Sequence, residues 1–394
     1  MKKIEKVSIQ HPEQPQILLG GITPGQFLAN YWQKKPLLIR GAIPDFKGLL
    51  SPDELAGLAC EEDVQSRLVS YVRGKWKLEN GAFNEVRFSK LPKKSWTLLV
   101  QSLNHHLPQA ADLMQQFDFI PHARLDDLMV SYAPDGGGVG PHFDSYDVFL
   151  LQGMGKRLWR VSEQQDLSLV EGAPLRILQN FTTEQEWLLE PGDMLYLPPH
   201  VAHWGIAVGE CMTYSVGFRA PSMQELATQF FAYLEEHLSV AGVYADPDLK
   251  LQKHPAKISK DMVARVTQKL KEIQWGERDV GDFLGSYLSE PKAHIVFDAP
   301  NNIDIAEFQQ RMEQVGVGLS LKSQALFHGK SFFINGEQLE MPPAYANLLK
   351  LLADQRRLSA ENIIEHQLAE PSFIESDWVE IFYLWYQAGY IEFS

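Results

Sequence analysis

Between Leu128 and Phe218 the sequence breaks into short apolar runs separated by turns, and this pattern limits the fold most. Strands are expected at Leu128–Ala133, Tyr146–Gln152, Lys156–Val161, Asp193–Leu197 and Met212–Phe218. Turn signals stand at Pro134-Asp135-Gly136, Gly153-Met154-Gly155 and Glu190-Pro191-Gly192-Asp193. Many short strands with regular turns predict a closed or double-layered β structure, a barrel or jelly roll.

Inside that region lies Pro141-His142-Phe143-Asp144, behind the glycine run Gly136-Gly137-Gly138-Val139-Gly140. On a strand, residues two apart project to one face, so His142 and Asp144 can meet at one metal ion. His203, in Pro199-His200-Val201-Ala202-His203-Trp204, is the preferred third ligand, with His200 its rival. Two His and one carboxylate form the facial triad of non-haem Fe(II) oxygenases, which leaves positions open for a co-substrate and O₂. The glycine run does not match phosphate-loop spacing and leads into no helix. It reads as a close approach of backbone to the metal site.

An Fe(II) oxygenase needs electrons, commonly from a 2-oxo acid. If that acid is 2-oxoglutarate, its far carboxylate needs a cation. In Lys156-Arg157-Leu158-Trp159-Arg160, alternation puts Arg157 with Trp159 and Val161 on one face and Lys156 with Arg160 on the other. Arg157 offers a planar fork for a carboxylate, and Ser131 is a candidate to add a hydroxyl. Tyr146 and Asp147 are candidates to hold a substrate guanidinium, one by stacking and one by accepting hydrogen bonds.

A chain of 394 residues exceeds one ordinary core, so two or three domains are expected. Thr23 caps a helix from Pro24, Ser51-Pro52-Asp53-Glu54 has the form of a capping box, and 96–103 and 110–117 read as helices. Residues 1–20 read as an irregular arm. The expected division is a catalytic jelly roll over 1–222, a helical segment over 223–292 and a mixed domain over 293–394. The helical segment carries Leu226, Phe230 and Leu234, then Met262, Val263, Val266 and Leu270, at helical spacing. It is too small for its own core and is expected to pack on the barrel or on a second copy of itself, with a homodimer preferred. The last domain, with an Asn335-Gly336 hairpin between short helices, reads as winged-helix-like. It has six Lys and Arg against fourteen Asp and Glu, a net of −8, so DNA binding is not expected.

The whole chain carries −14, which suits a basic partner better than a nucleic acid. Cys60 and Cys211 alone make no disulfide framework. No apolar run approaches membrane length and no signal-peptide core begins the chain, so the cytoplasm is the expected compartment.

Taken together, Asp126-Asp127-Leu128-Met129, the glycine run into His142 and Asp144, Tyr146-Asp147-Val148-Phe149, Trp159-Arg160-Val161, Leu189-Glu190-Pro191-Gly192-Asp193 and Tyr214–Pro221 resemble the bacterial ribosomal oxygenases. So do Ser51–Ala59, Ser66–Ser70 and Asp246-Pro247-Asp248. The resemblance implies a JmjC-type double-stranded β-helix of the cupin class, a helical dimerisation segment and a winged-helix domain. It implies Fe(II) on His142, Asp144 and His203, 2-oxoglutarate on Arg157, and O₂-dependent hydroxylation of an arginine in a large-subunit ribosomal protein. His200 and Ala202 depart from the family pattern, which has Gly and Pro there. The alternatives are the same chemistry on histidine or methyl-lysine, a catalytically silent cupin that binds a partner, and a transcription factor, which the −8 charge disfavours.

Overall fold

The computed structural model of the chain describes residues 14–298, 300–369 and 377–394. Of the arm expected over 1–20, positions 1–13 lie outside the described residues; Ile17–Leu19 forms a 3₁₀ turn. Contacts divide the chain into two compact units, one up to residue 220 with 293–296, the other 221–292 with 297–394.

The first unit runs α1 (Pro24–Asn30), β1 (Leu37–Ile39), α2 (Pro52–Leu58), β2 (Ser66–Val72), β3 (Lys75–Asn80), α3 (Glu85–Ser89), β4 (Trp96–Val100), α4 (Pro108–Met114), β5 (Leu125–Ala133), β6 (Val148–Ser162), β7 (Gln185–Leu189), β8 (Met194–Leu197) and β9 (Ala202–Phe218). Helices α1 and α2 begin as their sequences require. Thr23 with Gln26, and Ser51 with Glu54, form reciprocal capping boxes, each with Pro in the first turn.

The strands form one antiparallel sheet in the order β1-β8-β6-β9-β5-β4-β2-β3, with β7 also on β6. Strands β6 and β9 pair from Val148↔Gly217 to Ser162↔Ala202. The first part of β6 takes β8 as its other neighbour and the last part takes β7. This long pair passes between the two layers of a cupin-type β-sandwich, which is the expected fold. One face is sealed by aromatic packing. Phe149 has its ring 4.9 Å from Phe117 and from Tyr196, and 5.4 Å from Phe27 of α1. Each such ring removed from water contributes about 1.5–3 kcal/mol.

Three local expectations are corrected. Residues 96–103 are not a helix: Trp96–Val100 is strand β4, held between β2 and β5. Gly153-Met154-Gly155 is not a turn between two strands; register shifts there bulge one continuous β6. His142 and Asp144 do not lie on a regular strand. His142 makes an isolated antiparallel bridge to His203, and Asp144 follows it in irregular chain.

The second unit runs α5 (Met223–His237), α6 (Lys260–Leu270), α7 (Glu277–Ser289), α8 (Ile305–Val315), β10 (Val317–Leu319), β11 (Ala325–His328), β12 (Ser331–Ile334), β13 (Glu337–Glu340), α9 (Ala346–Gln355), β14 (Arg357–Leu358), α10 (Ala360–Ala369), α11 (Trp378–Gln387) and β15 (Ile391–Phe393). Two small sheets, β14-β10-β15 and β11-β12-β13, enclose a core that includes Phe308, Leu349, Leu352 and Phe382. Asn335 and Gly336, with φ of 52° and 89°, make the β12–β13 turn. Helix α7 packs on the β11–β13 sheet: Ser331 Oγ donates to Asp282 Oδ1 at 2.8 Å, and a Cβ at Gly285 would strike the Phe333 ring. Helix α7, expected in the helical segment, and the β11–β13 sheet, expected in the last domain, therefore share one compact unit. Phe230 of α5 faces Phe283 of α7 at 5.4 Å and Leu234 is buried, so these positions are internal.

Candidate metal centre

A cavity of about 350 Å³ opens within the β-sandwich of the first unit. Its walls follow the period of two expected of strands: Arg67 and Val69 from β2, Thr97 and Leu99 from β4, Asp127, Met129 and Ser131 from β5, Thr213, Ser215 and Gly217 from β9. His142, Asp144 and His203 line it as well.

These three are the group of His, Cys, Asp and Glu side chains, among the described residues, that converges as metal ligands do. One ligand atom from each lies within 4.8 Å of the others. The His142–His203 bridge sets the geometry. Each residue's N–H donates to the other's carbonyl, at 2.9 and 2.8 Å, and the rings stand 4.2 Å apart. His142 Nδ1 donates to the Gly140 carbonyl and His203 Nδ1 to that of Val201, both at 2.9 Å. A carbonyl only accepts, so both Nδ1 atoms carry the proton and both Nε2 lone pairs are left for a metal. His203 Nε2 is 3.6 Å from Asp144 Oδ2. Burial, reinforced by neighbouring His142, lowers the His203 pKa to about 4 against the opposing pull of Asp144. The ring is therefore neutral near pH 7, the form that binds metal.

The glycine run makes this approach possible. Gly140 has a φ of +83°, and a Cβ there would meet Trp76 at 2.6 Å; a Cβ at Gly138 would sit 2.3 Å from the Gly205 carbonyl. His200 is not in the ligand group. Its N–H holds the Asp144 carbonyl at 2.7 Å, and its φ of +67° is one that Gly takes without strain.

Arg157 lies where alternation placed it, buried beside Trp159, with its guanidinium 5.8 Å from that ring. Its Nε and Nη2 are buried and find no hydrogen-bond partner among the described residues. A buried, unsatisfied cation is costly, and a carboxylate in the cavity would satisfy the fork. Lys156 and Arg160, on the other face, pair with Glu190 and Glu186. Ser131 lines the same cavity. The residues present thus fit Fe(II) together with 2-oxoglutarate.

Of the two residues expected to hold a substrate guanidinium, Tyr146 lines the cavity. Burial, then Asp144, pushes its phenol pKa up, so it stays protonated. Asp147 is a correction. It is fully buried away from the cavity, where Oδ1 accepts from Tyr196 at 2.6 Å and Oδ2 from Gln33 at 2.9 Å and Arg124 at 3.5 Å. It ties the turn after α1, strand β8 and the residue before β5 together and has a structural task. The carboxylate that does line the cavity is Asp127, anchored by Ser102 N–H and Oγ at 3.0 and 3.2 Å.

Comparison with known proteins agrees with this geometry. Residues 112–226 match the JmjC domain family and residues 269–387 the ROXA-like winged helix. The chain is 37% identical to the ribosomal protein uL16 3-hydroxylase of Escherichia coli over 354 residues, covering 88% of this chain and 93% of that one. The chain belongs to the JmjC-type ribosomal oxygenases. It is also 42% identical over 235 residues to a probable ribosomal oxygenase of Haemophilus influenzae, covering 58% of this chain and 56% of that one. The solved structure of the Escherichia coli ribosomal oxygenase YcfD with cobalt and 2-oxoglutarate superposes with a TM-score of 0.78 at 35% identity, covering 94% of this chain and 98% of that one.

Proposed function

We propose that this ribosomal oxygenase hydroxylates an arginine side chain of the large-subunit ribosomal protein uL16, using Fe(II), 2-oxoglutarate and O₂. The observation that carries the reading is the pairing, in one cavity, of a two-His, one-carboxylate cluster with an unsatisfied buried arginine. His142, Asp144 and His203 hold the metal. Arg157 orients the far carboxylate of 2-oxoglutarate, with Ser131 beside it. Bound there, Fe(II) with 2-oxoglutarate and O₂ supplies the oxidant for an unactivated C–H bond. At the cavity wall, Asp127 offers carboxylate acceptors and Tyr146 an aromatic face to a guanidinium, and the chain's charge of −14 draws a basic segment in. A ribosomal substrate suits a cytoplasmic location. Among the described residues no helix is long and apolar enough to cross a membrane.

The test is a peptide assay. A uL16 fragment incubated with the protein, Fe(II), 2-oxoglutarate and O₂ should gain one oxygen atom on its arginine, and the Arg→Lys fragment none. Oxidation of a histidine in its place, or loss of methyl from a methyl-lysine peptide, would assign the site to another residue class.

The same reading extends to assembly. None of the residues of α6 is buried, and Met262, Val263, Val266 and Leu270 leave its apolar face exposed. Such a face marks a binding surface, and a second copy of the chain is the occupant proposed. Intact protein should sediment as a homodimer at micromolar concentration, and the double variant Val263→Lys, Val266→Lys as a monomer. A wild-type monomer removes the proposal.

A further inference from the structure

The catalytic reading leaves unused the most basic stretch of this acidic chain. Residues 71–94, which span the β2–β3 hairpin, α3 and the turn before β4, hold seven Lys and Arg against two Asp and Glu, while the whole chain carries −14. Arg87 is held by Glu79 and Lys94 by Asp135. The other five, Arg73, Lys75, Lys77, Lys90 and Lys93, are exposed and form no ion pair among the described residues.

Register gathers them at one edge of the sheet. Ser70 stands opposite Lys77 on one side and Trp96 on the other, so Lys75, Lys77 and Trp96 share a face. Trp96 Nε1 donates to the Pro92 carbonyl at 2.6 Å, which brings the turn with Lys90 and Lys93 to that edge. The opposite face of the hairpin carries Tyr71 against Trp76, with ring centroids 4.6 Å apart. Tyr71 is 46% exposed. Trp76 packs on Gly140, whose carbonyl holds His142, and β2 continues through Val69 and Arg67 into the cavity wall. The aromatic face of the hairpin therefore adjoins the catalytic cavity, and Lys75 and Lys77 stand on the other face of the same edge.

Strand β3 is the outer strand of the sheet, and lysines on such a strand discourage pairing with another chain. That accounts for Lys75 and Lys77. It leaves Arg73, Lys90, Lys93 and the half-exposed aromatic pair without a reason. A basic substrate gains nothing from this patch, since like charges repel it. A polyanion with flat bases gains from both parts, phosphates on the cations and a base on Tyr71.

We propose that the β2–β3 hairpin and the 90–94 turn form a contact for single-stranded RNA beside the cavity mouth. The choice of RNA over an acidic protein rests partly on the reading above: a ribosomal-protein segment offered to the cavity has RNA as its natural neighbour. The enzyme would then grip substrate protein with its acidic surface and the adjoining RNA with this edge.

Fluorescence polarisation with a labelled single-stranded RNA of about 20 nucleotides and the full-length protein tests this without any peptide substrate, so its outcome is independent of which residue is oxidised. Neutralising four or five phosphates of a single strand predicts a slope of about −3 in log affinity against log salt, a fall of roughly 50- to 100-fold between 50 and 200 mM. Lys75→Glu, Lys77→Glu, Lys90→Glu and Lys93→Glu combined should abolish binding while 2-oxoglutarate turnover on a short free peptide stays at the wild-type rate. Tyr71→Ala alone should weaken binding about tenfold and leave the salt slope unchanged. Absence of RNA binding at 50 mM salt overturns the proposal, as does undiminished binding by the fourfold variant. Displacement of the RNA by polyglutamate at equal charge overturns it in favour of an acidic protein partner.

Discussion

Alanine at His142, Asp144 or His203 is expected to bring hydroxylation to background, while His200→Ala keeps most of it. Among the described residues, these three side chains are the ligands that converge at the site. Loss of an outer partner of a metal ligand typically costs about 10–100-fold in metal affinity, and loss of a ligand itself exceeds that. Each imidazole is pinned through Nδ1 to a main-chain carbonyl, so no neighbouring side chain swings in as a substitute. His200 differs because its contribution is its backbone N–H on the Asp144 carbonyl, which alanine retains. Cobalt binding followed by visible absorption gives a readout apart from turnover. Loss of cobalt by His200→Ala with retention by His203→Ala would reverse the ligand assignment.

The site was legible in the sequence where its residues are close in the chain or alternate on one strand. His142 and Asp144 are close in the chain, but irregular backbone after the His142 bridge, not strand alternation, carries them. The inward-facing Arg157 follows from spacing of two along β6, and burial of Arg157, Trp159 and Val161 on one face agrees. The same rule held an unused signal. Ser131 was expected to face the cavity, and two and four residues before it on β5 stand Met129 and Asp127, which do so as well. Asp147 was misread because its partners Gln33, Arg124 and Tyr196 lie 114, 23 and 49 residues away, and nothing local announces them.

The strands of the fold were legible in the same uneven way. Leu128–Ala133 stands out because the turn at Pro134-Asp135-Gly136 bounds it, whereas Met212–Phe218 proves to be only the second half of the long strand β9. Strand β4 is buried along Thr97–Val100, so its apolar run WTLLV has no alternation to separate strand from helix. Strand β3 fails in the opposite direction. As the edge of the sheet it reads KWKLEN, too polar to register as a strand.

Removing the guanidinium of Arg157 should separate co-substrate binding from metal binding. A charge-assisted pair with a carboxylate contributes about 1.5–3 kcal/mol, so Arg157→Ala should raise the 2-oxoglutarate KM roughly 10- to 100-fold. Cobalt affinity in the absence of 2-oxoglutarate should stay near the wild-type value, since Arg157 is outside the ligand group. Arg157→Lys should recover only part of the loss: it restores the charge but not a planar fork with two parallel donors. Lys156→Ala and Arg160→Ala serve as controls. Their partners are Glu190 and Glu186 on the outer face, and removing exposed pairs of this kind changes little. The buried Nε and Nη2 of Arg157 make the expectation sharp, because satisfying them is a gain that no other group among the described residues provides. An unchanged 2-oxoglutarate requirement in Arg157→Ala, with a raised one in Lys156→Ala or Arg160→Ala, would move the co-substrate to the other face of β6.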